Sequence, residues 1–190
     1  MLKINAILFL LVFIIPYNLF HELGNNGIFS KSSLCSESYI QKECKSFDLM
    51  YQSLVKKDFF KDASTMAKQE FSQYKIAEID AFYDDLYKYR LVDVVCQSPK
   101  GKLALIARLY ENENIIWLCS YSAKGDFVKA MQVYYDNAEG NFQIESKFDG
   151  QTLTLFTDDV NEGKGVEKYT ITETFDIVTM HKWKLAPWIN

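Results

Sequence analysis

Leu103-Ala104-Leu105-Ile106-Ala107-Arg108-Leu109-Tyr110, then Glu111-Asn112-Glu113-Asn114, then Ile115-Ile116-Trp117-Leu118-Cys119-Ser120-Tyr121-Ser122, reads as two apolar runs around four polar residues. Each run is short, rich in branched and aromatic residues, and bounded by turn formers, which is the pattern of two strands joined by a hairpin. Ile115–Cys119 is apolar at consecutive positions, so that strand should be covered on both faces, with the N-terminal helices as the natural cover.

Outward from this hairpin the punctuation continues. Pro99 and the glycines Gly101, Gly125, Gly140, Gly150, Gly163 and Gly165 recur through the second half, whereas residues 28–98 contain neither glycine nor proline. Regular breakers between short apolar runs predict hairpins; a breaker-free stretch suits helices. The expected strands are 91–96, 103–110, 115–122, 127–135, 142–148, 153–157 and 166–177. Asp149-Gly150 is the strongest two-residue turn signal among them. In Phe142–Phe148 apolar and polar residues alternate, so one face is dry and the other wet.

In the first half, Ser36 or Ser38 can cap a helix running to about Lys57, and Asp58 or Asp62 a second that carries Phe71 and Tyr74. A third short helix would carry Ile79, Phe82, Tyr83 and Leu86. The joint near Lys75 is open, so the second and third helices could be one. No βαβ alternation appears. The expected fold class is therefore α+β: N-terminal helices over 36–88, then a curved antiparallel β-meander of six or seven strands over 91–178. The alternative is a cone-shaped sheet wrapped on helices, as in the nuclear-transport-factor-like fold.

The chain has 190 residues, Lys+Arg 21 against Asp+Glu 25, a net charge of -4, and 48% hydrophobic residues. Those proportions exclude wholesale disorder, and the acidity speaks against a nucleic-acid partner held by bulk charge. Residues 6–15 contain no polar side chain and follow Lys3, as in an export signal; the span 4–20 is also just long enough for a membrane anchor. Residues 1–30 are thus expected to be a signal or anchor, and 31–190 a single α+β domain. Any membrane contact would run through residues 4–20, if they are retained.

Cysteine usage agrees with export. Cys35, Cys44, Cys96 and Cys119 make an even count. Closeness in sequence favours Cys35–Cys44, and neighbouring expected strands favour Cys96–Cys119. No C-x-x-C spacing occurs and no histidine lies near a cysteine in sequence, so no metal site is expected.

Catalytic constellations are sparse. His21 and His181 are the only histidine bases, and no Gly-x-Ser-x-Gly elbow accompanies them. Asp84-Asp85 would point in different directions from a helix, and Asp158-Asp159 opens a hairpin loop that lacks the calcium-loop template. No phosphate-binding or dinucleotide fingerprint is present, so no cofactor is expected. Aromatic residues reach 15%. Tyr83, Tyr87 and Tyr89 fall near the helix-to-sheet junction. Tyr134, Tyr135, Trp183 and Trp188 are the candidate binding residues, for an exposed aromatic patch would mark an interface.

The resulting expectation is an exported, non-enzymatic binding protein working by protein–protein contact in the cell envelope. One concrete version is an immunity-type protein that plugs a toxin's site. The alternative is a carrier of a small apolar ligand or an envelope accessory protein.

Overall fold

The computed structural model describes residues 44–184, apart from 62, 63, 85, 112 and 138. The expected export segment at 4–20, His21, Cys35 and Trp188 lie outside the described residues. Among the described residues, no helix is long and apolar enough to cross a membrane.

The chain is mostly one open antiparallel sheet with a few short helices. In order these are β1 (Phe47–Leu49), α1 (Tyr51–Lys56), a 3-10 turn (Phe59–Lys61), α2 (Lys68–Gln73), α3 (Ile76–Ile79), β2 (Lys88–Ser98), β3 (Gly101–Tyr110), β4 (Glu113–Ser122), β5 (Phe127–Asn137), β6 (Phe142–Phe148), β7 (Thr152–Asp159), β8 (Gly163–Ile171) and β9 (Ile177–Lys184). Strands β2 to β9 are neighbours in chain order, and β1 adds to β6.

The hairpins sit where the breakers are. At the β2–β3 turn, Gly101 is required: its φ is 149°, and a Cβ there would collide with the Tyr121 carbonyl oxygen. At the β6–β7 turn, the Asp149 carboxylate accepts the N–H groups of Gln151 and Thr152 at 2.8 and 2.7 Å. Those bonds hold the Asp149 carboxyl below its usual range.

Two expectations need correction. The strand expected over 166–177 ends at Ile171, and a further strand, β9, lies almost wholly beyond the expected range, at Ile177–Lys184. Phe175 adopts a φ of 67°, and the Thr172 hydroxyl oxygen accepts the Asp176 N–H at 3.0 Å, so the chain reverses there and β9 follows. With β9 and β1, the sheet has nine strands among the described residues, against six or seven expected. Among the described residues the helices are also far shorter than expected, six residues at most. Part of the first expected helix is strand β1, where the Phe47 ring packs against Phe148 with centroids 5.3 Å apart. Asp58 and Lys75 have left-handed φ values of 51° and 55°, and a left-handed residue ends a helix. Lys75 is thus the break between α2 and α3.

The central strands are covered on both faces, by strand β1 as well as by the short helices expected to do it. One face of β3 and β4 carries Leu103, Leu105, Ile116 and Leu118, packed with Leu49 and Leu54 from the N-terminal segment. Their other face carries Ala104, Ile106, Cys119 and Tyr121, packed with Tyr74 and Ile76. Pairing between β5 and β6 is confined to Tyr135 with Ile144. Further along, β6 is paired with β1 instead.

The disulfide is Cys44–Cys96, with Cα atoms 4.6 Å apart. This corrects both favoured pairings, since Cys44 is not joined to Cys35, nor Cys96 to Cys119. The reason is strand parity. Cys96 pairs with Leu103 and Cys119 with Ala104, and consecutive residues on β3 face opposite sides. Cys119 is a free, buried thiol that burial pushes up to about 12.

Candidate functional site

The most unusual chemistry in the fold is a buried charge cluster beneath an exposed loop. Arg108 stands in the otherwise apolar run of β3 and is almost fully buried. Its Nη1 donates to Asp80 Oδ2 at 2.8 Å and its Nη2 to Glu113 Oε2 at 2.5 Å. Its guanidinium also lies 4.4 Å from the Tyr87 ring centroid. The Tyr89 hydroxyl donates to Asp80 Oδ2 at 2.7 Å, and the Tyr135 hydroxyl to Glu113 Oε1 at 3.0 Å. Burial alone would discourage the Arg108 charge, but the hydrogen bond to Asp80 and the two carboxylates hold its pKa above the ordinary value.

Asp80 follows α3 and is 4% exposed. Its second oxygen, Oδ1, accepts the Phe82 N–H at 3.1 Å, and its carbonyl accepts the Tyr83 N–H at 3.2 Å. Asp84 repeats the device: Oδ1 accepts the Leu86 N–H at 2.9 Å, and its carbonyl the Tyr87 N–H at 3.1 Å. Two successive Asx turns therefore shape the segment between α3 and β2. The buried ion pair pins its base. At its tips, Phe82 is 82% and Leu86 70% exposed, with Tyr83 half exposed beside Phe71. A cleft of about 680 Å³ adjoins the loop, lined by the apolar Phe60, Leu86, Leu109 and Tyr110 together with the polar Lys61, Lys88, Glu111 and Asn114.

The anticipated site residues fall apart in space. Tyr134 is fully buried, so it is a core residue rather than a contact. Tyr135 is partly buried and belongs to the Glu113 cluster. Trp183 is exposed on β9, stacked on His181 at 5.2 Å. Asp84 is spent on the turn, Asp158 pairs with Lys164 at 2.9 Å, and Asp159 accepts the N–H groups of Asn161 and Glu162. Among the described residues, no group of three or more His, Cys, Asp or Glu could hold a metal ion. The Asp80–Arg108 pair was not anticipated. Its signal was a lone arginine in an apolar strand, which demands a buried counter-charge.

Several tyrosines are held protonated. Burial, then the Asp80 hydrogen bond, raises Tyr89; burial likewise raises Tyr121 and Tyr134, and pushes Tyr169 up to about 12. A raised pKa means the stability these groups contribute is complete below their unfolded value of 10.0 and is lost as pH rises through the folded values. In an alkaline titration followed by phenolate absorbance, these four should stay protonated at pH 10.0 while the fold is intact. Gradual ionisation of all tyrosines with the fold intact would contradict the packing described.

Comparison of the chain with protein-family models, with characterised proteins and with solved structures finds no match.

Proposed function

We propose that the chain is an exported, non-enzymatic binding protein acting by protein–protein contact in the cell envelope, and that the loop between α3 and β2 is its contact. The observation that carries this is the combination of highly exposed Phe82 and Leu86 with a base fixed by the buried Asp80–Arg108 pair. Large apolar side chains in water gain about 25 cal/mol per Å² when a partner covers them. A loop already held in shape loses less conformational freedom on binding, and aromatic anchors dominate interface energies. Export is supported by the apolar run at 6–15, and the Cys44–Cys96 disulfide is compatible with an oxidising compartment. An immunity-type role is one concrete version; growth rescue against a co-encoded toxin tests it.

The second reading, a carrier of a small apolar ligand, is favoured by the cleft at Leu86 and Tyr110, whose volume is in the range of ligand sites.

A photo-reactive amino acid placed at position 82 or 86, in the chain's own cells, separates the two. The expected result is one protein adduct of the same mass from both positions, and none from exposed position 129 on β5. Replacing both Phe82 and Leu86 with serine should change stability by no more than about 0.5 kcal/mol. No protein adduct at either tip, or the same adduct from position 129, would overturn the proposal.

A further inference from the structure

We infer that β9 is a self-association edge: two copies of this chain pair antiparallel along Ile177–Lys184, with Val178 of one copy opposite Trp183 of the other. Among the described residues, β9 has β8 as its one strand neighbour. The opposite edge, β2, is instead partly covered, by Lys45 N–H to the Val95 carbonyl at 2.9 Å and Met66 N–H to the Tyr89 carbonyl at 2.7 Å. Every β9 residue after Ile177 is exposed, Val178, Met180 and Trp183 included. An edge strand that carries large apolar residues and an unpaired backbone is a template for another strand.

The strand's own geometry selects a second copy as the occupant. Lys168 pairs with His181 and Tyr169 with Thr179, so Met180 is an extra residue, a bulge. The bulge shifts the alternation, and Val178, His181 and Trp183 all share a face with Val166, Lys168 and Thr170. In a regular strand Val178 and Trp183 would lie on opposite faces. With the bulge, a two-fold axis between Met180 and His181 places Val178 opposite Trp183, Thr179 opposite Lys182, and Ile177 opposite Lys184, each pair on one face. All eight residues of β9 then pair. Registers centred on Lys182 or Val178 would pair only a few residues, and the first sets Lys182 against its own copy.

Edge lysines ordinarily repel a second strand. Here they are neutralised within their own sheet: Lys182 lies 2.6 Å from Glu167 and Lys184 3.3 Å from Glu162. Pairing would also extend the apolar row of Phe156, Val166 and Trp183 onto Val178 of the second copy.

Three variants of the full-length chain test this in its own cells: Val178→Cys, Trp183→Cys and the double variant. All change exposed side chains. Cysteines at 178 and 183 of one copy, opposite Thr170 and Val166 across the bulge, are about 13 Å apart, too far to bond with each other, and so are two copies of either one alone. The double variant should run mainly as a covalent dimer on a non-reducing gel, at least ten-fold above either single variant, and the single variants should stay at the wild-type level. The purified wild type should sediment as a dimer, and Trp183→Lys as a monomer. A double variant no more cross-linked than the singles, a wild type that sediments as a monomer, or cross-linking to a different protein would overturn the inference.

Discussion

Asp80→Ala should lower the urea midpoint of unfolding sharply, with a loss of about 3–5 kcal/mol. The side chains of Arg108 and Asp80 are 7% and 4% exposed, so the substitution leaves a guanidinium desolvated with half its partners. Glu113 remains at 2.5 Å but is a third exposed, and water screens what it can return. The Tyr89 hydroxyl loses its acceptor at the same time. Domains of this size are stable by only about 5–15 kcal/mol, so the loss is a large share. Asp80→Ala combined with Arg108→Met should recover much of it, since an apolar replacement removes the buried charge together with its counter-charge. A single-variant loss under about 1 kcal/mol is what an exposed pair would show. It would mean the loop base is not buried as described.

Loss of the disulfide is the second large effect. Cys44 and Cys96 are separated by 52 residues in sequence. By the chain-entropy account, closure of such a loop contributes about 4 kcal/mol, between the values for short and very long loops. The bond holds the segment that enters β1, beside the Lys45 hydrogen bond to β2 and the Lys45–Asp93 ion pair at 2.7 Å. Cys44→Ser should therefore lower the unfolding midpoint and also speed cleavage by protease near Phe47. A midpoint unchanged by the substitution would place the cross-link elsewhere.

Much of the sheet was legible because its signals are local. Asp149-Gly150 and Lys124-Gly125 force reversals wherever they occur, and the continuous apolar run at Ile115–Cys119 announced burial on both faces of β4. What was not legible depends on partners distant in sequence. Phe47–Leu49 has the composition of a helix segment and becomes strand because Phe148 pairs with it. The turn at Phe175 contains no glycine or proline, so the break between β8 and β9 left no mark. The disulfide pairing followed from parity across β3, which needs the register between strands. The loop between α3 and β2 was divided by the sequence reading into a helix carrying Phe82 and an isolated Asp84-Asp85 pair. Arg108, the residue that organises it, was passed over as one polar position in an apolar run.

The claim beneath the rest is an exported domain closed by Cys44–Cys96. Trypsin separates all four cysteines, into peptides 32–42, 43–45, 91–100 and 109–124. A non-reducing peptide map of the protein taken from its own cells should show 43–45 linked to 91–100, with Cys119 a free thiol that is alkylated only after denaturation. Linkage of 32–42 to 43–45, linkage of 91–100 to 109–124, or four reduced thiols in the native cell would contradict it.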